Sequence, residues 1–233
     1  MQHILFDLDG TLLPMKQDAF VKSYFTLLGV EFVKLGIDPQ QFKLALFKGV
    51  EAMVTNDGSC TNETAFWNTF TSIVPGDLDL FQEKTMHFYE TEFNKVIEAT
   101  QPTEWAAKII SLVKAKGLNV YLATNPLFPQ IATAQRIRWA GLNAEDFLDI
   151  TTYEHCHYCK PNVEYFRELI EKHHLDPKEC LMVGNDVDED LVISKLGVKT
   201  YLITNTMENK KNLPITADYT GTLEDFYSFI QKL

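Results

Sequence analysis

From about residue 99 onward the chain alternates short apolar runs with amphipathic stretches, and this alternation restricts the fold more than any other feature. The runs "LNVYLAT", "FLDITTY", "CLMVG" and "VKTYLIT" have the length and composition of strands. Helical stretches lie between them, among them "PNVEYFRELIEKHH" and "DEDLVISKLG". Ahead of the first run, "PTEWAAKIISLVKAKG" sets Trp105, Ile109, Leu112 and Val113 on one face and ends at Gly117. Strands separated by crossover helices pair in parallel. A further run near the start, residues 2–7, is continuously apolar through Ile4, Leu5 and Phe6, as a strand covered on both faces requires. The expected fold is α/β: a doubly wound, mostly parallel, Rossmann-like sheet to which this first strand also belongs.

Residues 17 to about 97 interrupt the pattern. Phe20, Tyr24, Leu27 and Leu28 fall at i, i+4, i+7 and i+8, one stripe of a helix. "DPQQFKLALFKGVEAMV" and "DLDLFQEKTMHFYETEFNKVI" repeat the spacing, with the turn-rich "TNDGSCTNET" between them. The expected organisation is a core of residues 1–15 and 98–233, with residues 16–97 inserted as a helical domain. The abundance of Phe in the insertion suggests a small core of its own.

Composition narrows the partners. A net charge of −11 and a pI of about 5.0 repel a phosphate backbone, so no nucleic acid is expected. No apolar run approaches the roughly 20 residues of a membrane span. The first residues lack a basic segment and put acids where a signal peptide needs small side chains. With cysteines at 60, 156, 159 and 180 and no sign of export, a reduced, cytoplasmic protein is expected. Oligomeric state is left open.

Ligand sites in such sheets lie beyond the carboxyl ends of the strands. The first strand runs into "DLDG", where Asp7 and Asp9, two apart, share one side. The second ends in Thr124, followed by Asn125 and Pro126. Lys160 precedes Pro161 after "ITTYEHCHYC", and "CLMVG" runs into Asn185, Asp186, Asp188 and Asp190. Each has a bland explanation as turn former, helix cap, solvated lysine or acid at a helix N-terminus. Occurring in this order, each at a strand end, they are better explained as one site.

In these residues the chain resembles the haloacid dehalogenase-like (HAD) superfamily of hydrolases. "DLDGT" is similar to the first motif of that family, DxDx(T/V); "LATN", "KP" and "VGNDVDED" resemble the second, third and fourth. The helical insertion sits where that superfamily places a C1-type cap. The resemblance implies a Mg²⁺-dependent phosphomonoester hydrolase of small phosphorylated metabolites, working through an aspartyl-phosphate. Asp7 would be the nucleophile and Asp9 the acid and base. Thr124, Asn125 and Lys160 would hold the phosphoryl group. Asp7, the backbone carbonyl of Asp9, and Asp186 would hold the metal, with Asp190 and Asn185 in support. The fourth motif departs from the pattern, since Gly184 is followed by Asn185 before Asp186. Anionic oxygen suits Mg²⁺ better than an amide, which favours Asp186 over a register that puts Asn185 in the ligand position.

Asp9 argues against a dehalogenase, because a halide leaves without a proton. A sugar phosphomutase would keep both aspartates and a cap. A non-enzymatic phospho-acceptor also clusters aspartates, a hydroxyl and a lysine, but lacks so large an insertion and the second acid. "HCHYC", residues 155–159, has the spacing of a zinc or redox site, but the second Cys pair that such a zinc centre commonly needs is missing: Cys60 and Cys180 stand alone. It is expected to be a loop shaping the site entrance. "TNDGSCTNET" is a candidate for substrate selection.

Overall fold

The computed structural model describes Met1–Leu233. Its five strands are β1 (His3–Phe6), β2 (Asn119–Leu122), β3 (Cys180–Gly184), β4 (Lys199–Ile203) and β5 (Tyr219–Gly221). They form one sheet, all parallel, in the order β2-β1-β3-β4-β5. Between β1 and β2 run α1 (Gln17–Lys34), α2 (Pro39–Val54), α3 (Asn62–Ile73), α4 (Leu78–Glu90), a 3-10 segment at Phe93–Ala99 and α5 (Glu104–Ala115). Later helices are α6 (Gln130–Trp139), α7 (Val163–Lys172) and α8 (Leu223–Gln231).

β1 is central, pairing His3 with Asn119 on one side and Cys180 on the other. Its apolar residues are fully buried and divide by the two-residue period of a strand. Ile4 and Phe6 pack with Ile109 and Val113 of α5 and Phe226 and Ile230 of α8. Leu5 points the other way, into a cluster with Tyr165, Phe166 and Leu169 of α7. Helices on both faces make the sheet doubly wound, as expected.

Local signals account for the helical segment. Asp38 accepts hydrogen bonds from the amides of Gln40 and Gln41, with Pro39 just inside α2; Thr61 and Asp77 cap α3 and α4. The segment does not form a separate core. Phe32 meets Phe42, Phe70 and Phe81 at ring separations of 4.8, 5.4 and 5.8 Å. A second aromatic group leaves the segment, with Tyr24 reaching Phe128 (5.2 Å) and Phe93 reaching Trp139 (5.1 Å). One set of 43 buried residues therefore spans the helices and one face of the sheet.

Two further differences from the sequence reading follow from hydrogen bonding. "FLDITTY" is not a strand: only Ile150 bridges to Leu122 at the sheet edge. Beyond it the Thr151 hydroxyl bonds the Thr124 carbonyl at 2.7 Å, and the amide of Tyr153 bonds Phe128, which turns the chain toward the helices. β5 and α8 were not anticipated. β5 has only three residues, whereas α8 opens with a capping box between Thr222 and Asp225. No helix is long and apolar enough to cross a membrane.

Candidate active site

The carboxyl ends of β1, β2 and β3 open onto one cleft of about 130 Å³, at the point where the strand order reverses. Asp7 and Asp9 enter from β1, Thr124 and Asn125 from β2, and Asn185, Asp186, Glu189 and Asp190 from β3. The turn after β1 depends on Gly10, whose φ of +91° suits glycine and whose missing Cβ leaves room for the Asn185 amide.

Asp7 is buried, and both its oxygens are held. Oδ1 accepts from Lys160 Nζ at 2.9 Å, and Oδ2 lies 3.0 Å from Thr11 Oγ1. Burial lifts this carboxyl to about 7, against the pull of Lys160 and with a smaller push from Asp190 and Asp9. Lys160 also reaches Asp190 Oδ1 at 2.7 Å. Its side chain is fully buried behind the carboxylates and does not line the cleft. Burial alone would strip its proton, but Asp190 and Asp7 outweigh burial and keep it charged.

Asp9 is bound by Arg136 of α6, an arginine the sequence reading missed. The guanidinium also donates to Thr133 Oγ1 at 3.1 Å and lies 4.2 Å from the centre of the Phe128 ring. Asp9 Oδ1 is buried without a partner. Burial raises the Asp9 carboxyl, with Arg136 and then Lys160 opposing it.

The acidic loop after β3 assigns a different task to each residue. Asn185 uses both ends of its amide within the protein, accepting from Thr11 Oγ1 (3.0 Å) and donating to the Thr206 carbonyl (2.7 Å). Asp190 clamps Lys160 with one oxygen and the Asp186 amide with the other, and a Cβ on Gly184 would overlap it. Asp186 lines the cleft, with Oδ1 accepting from the amides of Asp188 (2.8 Å) and Glu189 (2.9 Å). Burial raises it, and so does the repulsion of Asp190 and Asp188, against those two bonds. Asn125 ties the loops together, accepting from the Lys160 amide and donating to Glu189 Oε2 at 3.0 Å. Burial lifts Glu189 to about 8. Lys210 brings a cation to the same wall.

No three side chains of His, Cys, Asp or Glu converge to cage a metal by themselves. The cleft offers instead the carboxylates of Asp7 and Asp186 beside the Asp9 main chain. Mg²⁺ is usually held in this way, by one or two carboxylates completed by water and phosphate oxygens. The donor set fits that ion.

Cys156 and Cys159 are buried, and burial pushes the Cys156 thiol up to about 12, so neither is poised as a thiolate. Their loop is a seam, in which the Asn62 amide bonds Cys156 and the Glu63 amide bonds Tyr153. "TNDGSCTNET" is therefore docked against residues 153–159 and contributes nothing to the cleft wall. Thr11 was legible inside "DLDGT" but was not singled out. Arg136 gave no signal apart from a basic residue in "AQRIRW".

The chain belongs to the haloacid dehalogenase-like hydrolases: the model of that family matches residues 1–192. It is therefore a hydrolase of that superfamily. No curated protein matches it in sequence. Among solved structures it is similar to a HAD phosphatase from Thermococcus onnurineus, with 19% identity, a TM-score of 0.62 and coverage of 99% of this chain and 98% of that one. CbbY from Rhodobacter sphaeroides, solved with phosphate, aligns at 16% identity and a TM-score of 0.61 over 97% and 96% of the two chains. L-2-haloacid dehalogenase from Xanthobacter autotrophicus aligns at 11% and 0.59 over 100% and 99%. At such identities the likeness concerns the fold.

Proposed function

We propose that the protein is a Mg²⁺-dependent phosphomonoester hydrolase working through an aspartyl-phosphate on Asp7, with residues 16–97 as its cap. The observation that carries this reading is the convergence of Asp7, Asp9, Thr124 and Asp186 on one cleft, with Lys160 neutralising the carboxylates from behind. The Lys160 ammonium, 2.9 Å from Asp7 Oδ1, opposes the effect of burial and favours the ionised carboxylate that a nucleophile must be. An Asp7 oxygen bonds to phosphorus as the ester P–O bond breaks, and the departing oxygen takes a proton from Asp9. Water then attacks the phosphorus of the acyl phosphate, gives its proton to Asp9, and returns Asp7 and inorganic phosphate. Thr124 would donate to a phosphoryl oxygen, and Asn125 would keep the Lys160 loop in register. Mg²⁺, held by Asp7, the Asp9 carbonyl and Asp186, would offset the charge of the phosphoryl group.

Asp9 separates this reading from dehalogenation. The expected result is release of phosphate from acetyl phosphate and from aryl and alkyl phosphates, abolished by EDTA and restored by Mg²⁺. Halide release from 2-haloacids without phosphate release, or activity surviving full chelation, would overturn it.

A further inference from the structure

Beside the acidic cleft lies a second cavity of about 260 Å³, enclosed by α1, α2, α3 and the loop before α6, with 18 hydrophobic residues among the 21 that line it. The two cavities share Gln17, Leu127 and Phe128 in their walls. An ester whose phosphoryl group lies against Asp7 would direct its organic group past these residues. A void of this size next to a hydrolytic site is a place for a ligand.

The lining determines what kind of ligand. The hydroxyls of Tyr24 and Tyr89 are 2.6 Å apart, and one donates to the other. Gln17, at the shared wall, is polar, and most of the remaining surface is aromatic or aliphatic. A sugar placed here would bury several hydroxyls without partners, a heavy penalty for each. An apolar body gains from leaving water and adds no unpartnered group beyond those already in the wall, such as the buried Trp67 N–H. The cavity also continues toward an open groove between α1 and α2, through Phe25, Phe42 and Phe47, so a longer chain has somewhere to extend.

We infer that the substrate is a phosphate monoester of an apolar alcohol or phenol, whose hydrocarbon body occupies this cavity while its phosphate meets Asp7. The inference rests on the phosphatase reading and makes its substrate class specific. A buried methylene contributes about 0.8 kcal/mol, which is about fourfold in kcat/KM. The test is kcat/KM along the n-alkyl phosphates from ethyl to hexyl, beside glucose 6-phosphate and glycerol phosphate, with acetyl phosphate as a substrate that has almost no organic group to place. The expected series rises about fourfold per methylene, with hexyl phosphate far ahead of both polyol phosphates. Val50→Trp, which fills the cavity, should lower the hexyl-to-ethyl ratio at least tenfold. If acetyl phosphate is hydrolysed but the alkyl series is flat, or the polyol phosphates turn over faster, the apolar substrate is wrong and the phosphatase reading stands. If neither acetyl nor any alkyl phosphate is hydrolysed, the phosphatase reading itself fails. The wild-type series decides the matter even if Val50→Trp does not fold.

Discussion

Arg136 and Asp9 form a buried ion pair across the candidate active site, 127 positions apart in sequence, with the guanidinium lying over Phe128. The pair fixes the direction of the carboxylate and leaves its Oδ1 without a protein partner. In the proposed reaction Asp9, which lines the cleft, gives its proton to the leaving group and then takes one from water.

Breaking this pair from one side should cost more than removing both sides. Arg136→Met leaves a largely buried carboxylate without its cation, a loss of about 3–5 kcal/mol. Arg136→Met combined with Asp9→Asn removes the stranded charge and should recover most of that loss. Urea unfolding of the parent, both single variants and the double variant forms the cycle. Equal destabilisation in Arg136→Met and the double variant would show that the ion pair is not what Arg136 supplies.

The two aspartates of "DLDG" should fail differently. Asp7→Asn removes the nucleophile, and turnover should vanish for every substrate. Asp9→Asn removes proton transfer, typically about 10²–10⁴ in rate. That loss should be heaviest for alkyl esters and lighter for the departure of nitrophenolate. With nitrophenyl phosphate the Asp9 variant should accumulate phosphate on Asp7, seen as an added phosphoryl mass in the intact protein. Two equally dead variants, neither carrying phosphate, would rule out this division of roles.

Asp186→Asn should sharply raise the Mg²⁺ concentration needed for activity. Asn185→Ala should leave that requirement close to the parent's but lower stability by about 1–3 kcal/mol, because it strips the donor from the Thr206 carbonyl and one of two acceptors from the buried Thr11 hydroxyl. A metal titration and a thermal melt on each variant separate the effects. The reverse ranking would move the metal to Asn185.

Away from the cleft, Asp149 Oδ2 accepts from Lys172 at 2.7 Å and from His173 at 2.6 Å, closing the end of α7 onto the segment between α6 and α7. Burial pushes this carboxyl up, but the two hydrogen bonds outweigh it and hold it below the usual carboxylate range. A depressed folded-state value means stability that is present above the unfolded value and lost as pH falls through the folded one. Asp149→Asn should therefore cost about 1 kcal/mol at pH 7, with half-exposed Lys172 limiting the effect. The gap from the parent should be full above the ordinary carboxylate value and close as pH falls through the lower folded-state one. A gap that does not narrow at all in acid would mean that shape, not charge, carries the contribution.

Much of the site was legible because parallel sheets gather strand ends, so polar residues far apart in sequence become neighbours once the strands are recognised. Asp7, Thr124 and Asp186 could be placed together in this way, and the structure sets all three on one cleft. Arg136 could not, because Arg136 and Arg138 flank Ile137 in "RIR" and look alike in sequence. Only the packing of α6 buries the first and leaves the second in solvent. Ile150 misled for a related reason: its segment does meet the free edge of β2, but the pairing stops after one bridge because the chain beyond Thr151 turns away, and composition carries no record of where pairing stops. The tasks of Asn185 and Asp186 depended on which amides and hydroxyls reach them, and spacing carries no record of that.

The ring contacts that leave the helical segment, Tyr24 to Phe128 and Phe93 to Trp139, bear on how the molecule comes apart. A helical segment with a sealed core could melt by itself and leave the sheet standing. Here the side chains that would close such a core are shared, so heating or denaturant should dissolve helices and sheet in one cooperative transition. Excising residues 16–97 would accordingly strip the cover from Phe128 and Trp139 and yield a sticky, aggregating remnant in place of a smaller enzyme with looser selectivity.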